Sequence, residues 1–180
     1  MDLLIILGII AIPAIAQIGI SVNYSKYKNI ENSKKLSGFD VARKILDKNG
    51  LQNVHVVEVR GNLTDHYDPS RKVVRLSSDI FHGESVAAIA VAAHECGHAI
   101  QHARGYAPLT IRGAIVPVVN FASSASWILI MLGLFMTSST SLLKIGILLF
   151  SATVVFQLIT LPVEFNASHR ALIQIENCEV

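Results

Sequence analysis

Charged side chains are scarce in this chain: only 16% of its 180 residues are Asp, Glu, Lys or Arg, whereas 52% are hydrophobic. A soluble domain typically has about 25% charged residues, so an ordinary soluble domain is excluded and part of the chain is expected in lipid. Cysteine is also rare, at two residues, which excludes a disulfide framework. The net charge is only +2, without a long basic block, and this excludes a nucleic-acid partner.

Three long apolar runs account for the mean hydropathy of +0.50. They are Leu3–Val22, Ala114–Met136 and Leu142–Val163. A helix needs about 20 apolar residues to span the hydrocarbon core of a bilayer. We therefore predict three transmembrane helices, one over residues 1–22 and a helical hairpin over residues 114–163.

The first run has an alternative interpretation as a cleaved secretion signal, because it contains the small residues Ala14–Ala16 near its end. Against this, Met1 and Asp2 provide no positive charge, and the apolar run is longer than a usual signal core. We favour an uncleaved membrane anchor. A cleaved signal would place the following domain outside the cytoplasm.

Residues 23–113 hold nearly all the charge and are predicted to form a water-exposed α+β domain. Ser37 with Asp40 resembles a capping box at a helix start, and Asn49 with Gly50 is typical of a helix end. The β-branched segments over residues 54–60 and 72–77 predict two strands, joined by turn chemistry at residues 68–69. We expect these strands to form a short hairpin or meander.

A second helix is predicted from Glu84 to Arg104, because the segment is rich in alanine with interspersed valine and isoleucine. Its small side chains allow close packing against another helix. The apolar stretch that precedes His94 is too short to cross a bilayer. The helix is therefore expected to lie beside the membrane.

The segment His94–His98, with Glu95 second, has the spacing of the short zinc-hydrolase motif HExxH. Residues four apart share a helix face, so two imidazoles can bind one tetrahedral metal ion. Glu95 is offset enough to reach a water molecule, whose pKa zinc lowers to about 7. We expect His94 and His98 to be zinc ligands and Glu95 to be the catalytic base. The alternative is a surface helix that matches the motif by chance.

The third ligand is expected to be Glu164, because a carboxylate at the end of an apolar run is costly unless it has a function. Interfacial snorkelling of this side chain is the alternative. His102 would lie about 12 Å further along the helix axis than His94, too far to bind the same ion. Cys96 is expected to be a small buried residue that faces away from the metal.

The other histidines give weaker signals. His66 and Tyr67 could steady an oxyanion or could simply form a polar turn, and we assign them no catalytic role. We expect His55, His82 and His169 to be surface or core residues.

Four segments resemble the YugP-like family of bacterial membrane zinc metallopeptidases. They are Leu63–Pro69, Ala90–Leu109, Val116–Ser123 and Leu161–Ser168. The resemblance implies a membrane peptidase related to gluzincins, with His94, His98 and Glu164 as zinc ligands and Glu95 as the catalytic base. Related membrane peptidases have Asp four residues after the ligand glutamate, where this chain has Ser168, which can donate a hydrogen bond but carries no charge. Family members usually continue into a further apolar segment, so a truncated chain is expected.

We therefore expect an α+β membrane protein: a zincin-like domain over residues 23–113, three transmembrane helices, and a C-terminal helix over residues 164–180 that carries the third ligand. The expected function is that of a zinc-dependent endopeptidase acting on peptides or membrane proteins. An extended substrate would pair with an edge strand over residues 72–77. The alternative is a metal-binding membrane scaffold protein without catalytic activity.

The basic residues predict which side of the membrane holds the domain. Those next to the domain are Lys26, Lys28, Lys34, Lys35, Arg104 and Arg112. The turn between the second and third predicted spans, residues 137–141, offers only the nearby Lys144. Because positive residues accumulate on the cytoplasmic side, we expect a multi-pass protein of the bacterial cell membrane with a cytoplasmic active site.

Overall fold

The computed structural model describes residues 2–136 and 140–180, without the side chains of residues 2–10, 12, 13 and 140. Its elements in chain order are α1 (Asp2–Lys28), α2 (Gly38–Lys48), β1 (His55–Val59), β2 (His66–Asp68), β3 (Val73–Ser77), α3 (Ser78–Phe81), α4 (Val86–Ala103), α5 (Ala107–Phe135) and α6 (Thr140–Asn177). The chain forms two compact units: Met1–Ala99 with Arg170–Val180, and Ile100–His169. The predicted turn at residues 137–141 lies largely outside the described residues.

Helix α2 begins at the predicted capping box. The Ser37 hydroxyl accepts a hydrogen bond from the Asp40 amide at 3.2 Å, and the Asp40 carboxylate accepts one from the Ser37 amide at 3.0 Å. Asn49 ends the helix as its C-cap. The apolar face of α2 is fully buried at Val41, Ile45 and Leu46, so this helix forms a wall of the core of the first unit.

The sheet of the first unit has three strands in the order β1-β3-β2. β3 pairs in parallel with β1 and antiparallel with β2, so the predicted hairpin or meander of residues 54–60 with residues 72–77 is wrong. The segment between the two predicted strands contains the additional strand β2, and the predicted turn at residues 68–69 joins β2 to β3 in a hairpin. The chain between β1 and β2 crosses over, and β1 and β3 therefore run in the same direction.

The expectation that residues 72–77 form an edge strand is also wrong. β3 is the central strand, and both of its edges are occupied by backbone pairing. Val74 and Leu76 on β3 are fully buried, as suits the centre of a sheet. A substrate backbone therefore has no free edge to join on this strand.

The start of α4 is fixed by the segment that follows α1. The Val86 amide donates to the Ile30 carbonyl, and the Asn32 amide donates to the Glu84 carbonyl, both at 2.8 Å. The side chain of Asn32 is buried and donates to the Leu36 carbonyl at 2.8 Å. These bonds join the segment after α1 to the start of the helix that carries the HExxH motif.

Helix α6 continues through Pro162 to Asn177, so the predicted domain boundary at residues 163/164 lies inside a helix. Proline removes one amide donor and crowds the carbonyl group four residues earlier, but long membrane-type helices often tolerate it. In the first unit, the end of α6 bonds to α2, where Asn49 donates to the Gln174 side chain at 2.7 Å.

In the second unit, α5 and α6 pack closely through glycine. A Cβ atom added to Gly146 would lie 2.9 Å from the Ile130 amide nitrogen, and one added to Gly133 would lie 2.7 Å from the Leu143 amide nitrogen. Only a residue without a side chain permits this approach. The predicted helical hairpin is thus present among the described residues.

Two helices of the described residues, Ala107–Phe135 and Ser141–Asn177, are long and apolar enough to cross a membrane, whereas three were predicted. Only 6% and 11% of their most apolar stretches are buried inside the protein, unlike the core helix of a soluble protein. α1 includes the first predicted span, residues 1–22, but many side chains of that span lie outside the described residues. That span stays a prediction.

Candidate metal centre

Helix α4 carries the HExxH motif, and its bounds, Val86–Ala103, agree with the predicted helix within two residues. The Ser85 hydroxyl accepts a hydrogen bond from the Ala88 amide at 3.2 Å and so caps the helix start. One side of α4 is fully buried at Ala88, Ala92 and Ala93. This packing fixes the rotation of the helix and therefore the directions of the motif side chains.

The two motif histidines lie together, one helical turn apart. The ring centroids of His94 and His98 are 4.8 Å apart, with the ring planes at 86°. His98 is buried and His94 is half-buried. The two rings thus lie on one helix face, as their spacing predicts, and such a pair suits the nitrogen ligands of a tetrahedral zinc ion. Their role as zinc ligands stays a prediction.

Glu95 lies on the side of the motif helix that contacts β2. It is buried, with 8% of its surface exposed. Burial raises the pKa of the Glu95 carboxyl above its ordinary value. The positive charges of protonated His98 and His94 and a hydrogen bond from the Tyr67 amide oppose this shift of the pKa. Because Tyr67 lies on β2, the sheet orients the carboxylate that was predicted to be the base.

A cleft of about 350 Å³ opens beside these residues in the first unit. It is lined by Leu63, Asp65, Ala90, Val91, His94 and Glu95. The Asp65 carboxylate accepts hydrogen bonds from the Ser77 amide at 2.6 Å and from the Ser77 hydroxyl at 3.0 Å. The cleft thus has a fixed wall and gives a bound molecule access to Glu95.

Glu164 lies on α6 in the second unit, where its Oε1 accepts a hydrogen bond from Arg112 Nη1 at 2.6 Å. Gln101, on the last turn of α4, belongs to the same unit and is fully buried. Its side-chain amide donates to the Val163 carbonyl at 2.8 Å and to Asn166 Oδ1 at 3.0 Å. Those two acceptors stand on either side of Glu164 in the sequence, so this stretch of α6 is held at two points.

The remaining sequence predictions for the site have mixed outcomes. Cys96 is buried, as predicted, with its Sγ 3.6 Å from the Ala42 carbonyl oxygen. Ser168 is exposed, and His102 is half-buried at the end of α4. The role of Glu164 as a ligand of the same ion as His94 and His98 stays a prediction.

Sequence reasoning missed four residues with specific contacts. Leu63 and Asp65 line the cleft, Arg112 pairs with Glu164, and Gln101 bonds to α6. Gln101 had a signal in the sequence, since an amide within an apolar helix segment needs a hydrogen-bond partner. Leu63 and Asp65 belong to the segment Leu63–Pro69 that carries the family resemblance, but no periodic pattern in this loop indicates that they line a cleft.

Comparison with known proteins identifies the family of the chain. Residues 2–180 match the family described as "Putative neutral zinc metallopeptidase". The chain is 54% identical over 156 residues to the "Putative membrane protease YugP" of Bacillus subtilis (strain 168), and this match covers 87% of the chain and 69% of that protein. No solved structure matches the chain.

Proposed function

Because the chain belongs to the neutral zinc metallopeptidase family, we propose that it is a membrane-anchored, zinc-dependent endopeptidase with a zincin-like domain. The observation that carries the proposal is a close pair of imidazoles beside an open cleft. Glu95 stands between the two histidines in the sequence and is buried. A structural histidine pair would need neither the glutamate nor the cleft. The relative from Bacillus subtilis, named as a membrane protease, supports the same activity.

The proposed zinc ligands are His94, His98 and Glu164. The donor set of two imidazoles and one carboxylate suits zinc in hydrolases. The position of Glu164 is supported by Gln101, which stands three residues after His98 on α4 and bonds to both sides of Glu164 on α6. A buried amide with two acceptors is a rigid connection.

Bound zinc would supply Lewis acidity, which activates water and polarises the carbonyl group of the substrate. Glu95 accepts the proton from the attacking water at its carboxylate and then delivers it to the leaving amine nitrogen. The Tyr67 amide holds this carboxylate in place by a hydrogen bond. The walls of the cleft position the peptide bond at Glu95.

Replacement of Glu95 tests the proposal. Glu95→Gln removes the proton acceptor but keeps the size of the side chain, so the purified variant should retain zinc and lose cleavage of a quenched fluorescent casein. His102→Gln is the matched control on the same helix and should keep both properties. Equal cleavage by wild type and Glu95→Gln would contradict the proposed mechanism.

The same variant separates the enzyme from the alternative scaffold protein. A scaffold that only binds metal needs the ligands but does not need Glu95. A cellular phenotype of the deletion strain that Glu95→Gln rescues fully would therefore favour the scaffold, whereas rescue by wild type alone favours the peptidase.

We also propose that the protein spans the cell membrane several times and has its active site on the cytoplasmic side. The two long apolar helices support this proposal, as do the basic residues that flank the domain. Reporter fusions after Lys35 and at Ser139 test the orientation. A cytoplasmic reporter should be active only at Lys35, and activity only at Ser139 would reverse the assignment.

A further inference from the structure

The cleft beside Glu95 has an apolar part that the proposed chemistry does not use. Leu63, Ala90 and Val91 form this part, whereas His94 and Glu95 form the part at the motif. The volume of about 350 Å³ is at the lower end of the range for ligand pockets, about 300–1,000 Å³. The cleft therefore suits one side chain with its backbone rather than a large ligand.

Leu63 has an unusual backbone and an unusual exposure. Its φ angle is 55°, in the left-handed region that costs a residue with a side chain about 1–3 kcal/mol. Its side chain is 62% exposed, although it is large and apolar. A strained backbone that holds an apolar side chain towards solvent at the rim of a cleft has no evident benefit for folding.

The loop that holds Leu63 is fixed on both sides. On one side, Gly61 has φ 114°, and a Cβ atom there would lie 2.7 Å from the Thr64 side chain. On the other side, Asp65 accepts two hydrogen bonds from Ser77. Leu63 is therefore held at the rim by its neighbours.

We propose that Leu63, Ala90 and Val91 form a subsite for a large apolar side chain of the substrate, and that Leu63 determines this specificity. The inference rests on the proposed peptidase function. Ala90 is small and leaves space at the wall of the cleft, while Val91 and Leu63 provide apolar contact surface. The motif residues at the other part of the cleft face the polar peptide backbone.

A long basic side chain is the competing occupant, because Asp65 also lines the cleft. Its carboxylate already accepts hydrogen bonds from Ser77, and both of its oxygen atoms take part. The carboxylate therefore acts as an anchor of the loop. An apolar side chain can fill the cleft without displacing these bonds.

Binding of small zinc-directed probes tests the subsite without knowledge of the substrate. The probes are the N-acetyl hydroxamates of glycine, leucine, phenylalanine and lysine, titrated into zinc-loaded wild-type protein in a calorimeter. The leucine and phenylalanine probes should bind at least about tenfold more tightly than the glycine probe, since apolar pockets discriminate on this scale. Equal binding of all four probes, or the tightest binding of the lysine probe, would overturn the proposal.

Substitution of Leu63 tests its role. Leu63→Asn removes the apolar surface but tolerates the left-handed backbone, so the ratio of leucine to glycine affinity should fall below about threefold. Ile30→Ser is the matched control, because Ile30 is an exposed apolar residue of the same unit outside the cleft lining, and its ratio should equal that of wild type. An unchanged ratio in Leu63→Asn would refute the assignment.

The outcomes also separate this inference from the proposed function. Wild-type protein that retains no zinc contradicts the metallopeptidase proposal itself. Protein that retains zinc and cleaves casein, but binds all probes alike, contradicts only the subsite.

Discussion

Arg112 donates a hydrogen bond to Glu164, with Arg112 Nη1 2.6 Å from Glu164 Oε1, and so joins α5 to α6 within the second unit. Both side chains are about one-third exposed, so the ion pair contributes at most about 1 kcal/mol to stability. Its main effect is on orientation, because the hydrogen bond from Arg112 holds one carboxylate oxygen in place.

Removal of Glu164 should weaken zinc binding. Glu164→Ala is expected to lower the affinity more than about 100-fold, because changes in outer contacts alone already cost about 10–100-fold. Both proteins should bind zinc more weakly at lower pH, where protonated imidazoles no longer bind metal. Zinc content after dialysis against graded chelator measures the affinity, and Glu176→Ala on the same helix is the control. Equal zinc content in both variants would exclude Glu164 as a ligand.

Removal of Arg112 should have a smaller effect on the same measurement. Arg112→Ala frees the carboxylate from its fixed orientation, and we expect about a tenfold loss of zinc affinity. Arg112→Lys keeps the charge, and its zinc affinity should lie between those of wild type and Arg112→Ala. A rise in affinity in Arg112→Ala would instead mean that the arginine competes with the metal for Glu164.

The buried Gln101 should contribute to stability. Gln101→Leu deprives the Val163 carbonyl and Asn166 of a donor, and a lost bond of this kind costs about 1–3 kcal/mol. Each kcal/mol corresponds to about 2–4 °C in Tm for a protein of this size. Gln157→Leu is the matched control, because Gln157 is exposed on α6, and its Tm should not fall. Equal Tm values for the two variants would show that the Gln101 bonds are not stabilising.

Tyr67 should stay protonated in alkaline solution. Burial and, secondarily, the negative charge of Asp68 raise the pKa of Tyr67 from 10 to about 12. The folded protein thus holds the phenolic proton more tightly than the unfolded chain, so this contribution to stability is complete below pH 10 and is lost as pH rises to about 12. Tyr67→Phe has no phenolic proton, so it should lack this loss of stability between pH 10 and about 12.

The difference in phenolate absorbance between wild type and Tyr67→Phe reports the titration of this group directly. A midpoint near pH 10 would show that Tyr67 is not in the buried environment described above.

The glycine contacts of the hairpin give a matched pair of substitutions. Gly146→Ala places a methyl group against Ile130 and should destabilise the protein by about 1–3 kcal/mol through overpacking. Gly113→Ala adds the same group on α5 where no atom lies within 4 Å, and helix propensity should stabilise it by up to about 1 kcal/mol. Thermal unfolding in detergent compares them, and Tm shifts of the same sign would contradict the close packing at Gly146.

The sequence predicted the local features of the fold well and the sheet poorly. The capping box at Ser37 and the alanine-rich helix over residues 84–104 are determined by neighbouring residues, and both were predicted. β2 has only three residues, too few for a periodic pattern. Its pairing with β3, which makes β1 and β3 parallel, depends on contacts between distant segments.

The candidate site was predictable to a similar degree. His94, Glu95 and His98 belong to one helix, so their spacing defines their arrangement. The roles of Gln101 and Arg112 depend on which residues of α6 lie next to them. The backbone strain of Leu63 becomes visible only in three dimensions.

Both native cysteines are shielded from solvent. Cys96 and Cys178 are buried and unpaired, and burial raises the pKa of the Cys96 thiol well above its ordinary value, which suppresses the reactive thiolate. The two native cysteines of the folded protein should therefore react little with thiol reagents. Single cysteines introduced at chosen positions could carry spectroscopic labels without prior removal of the natural ones.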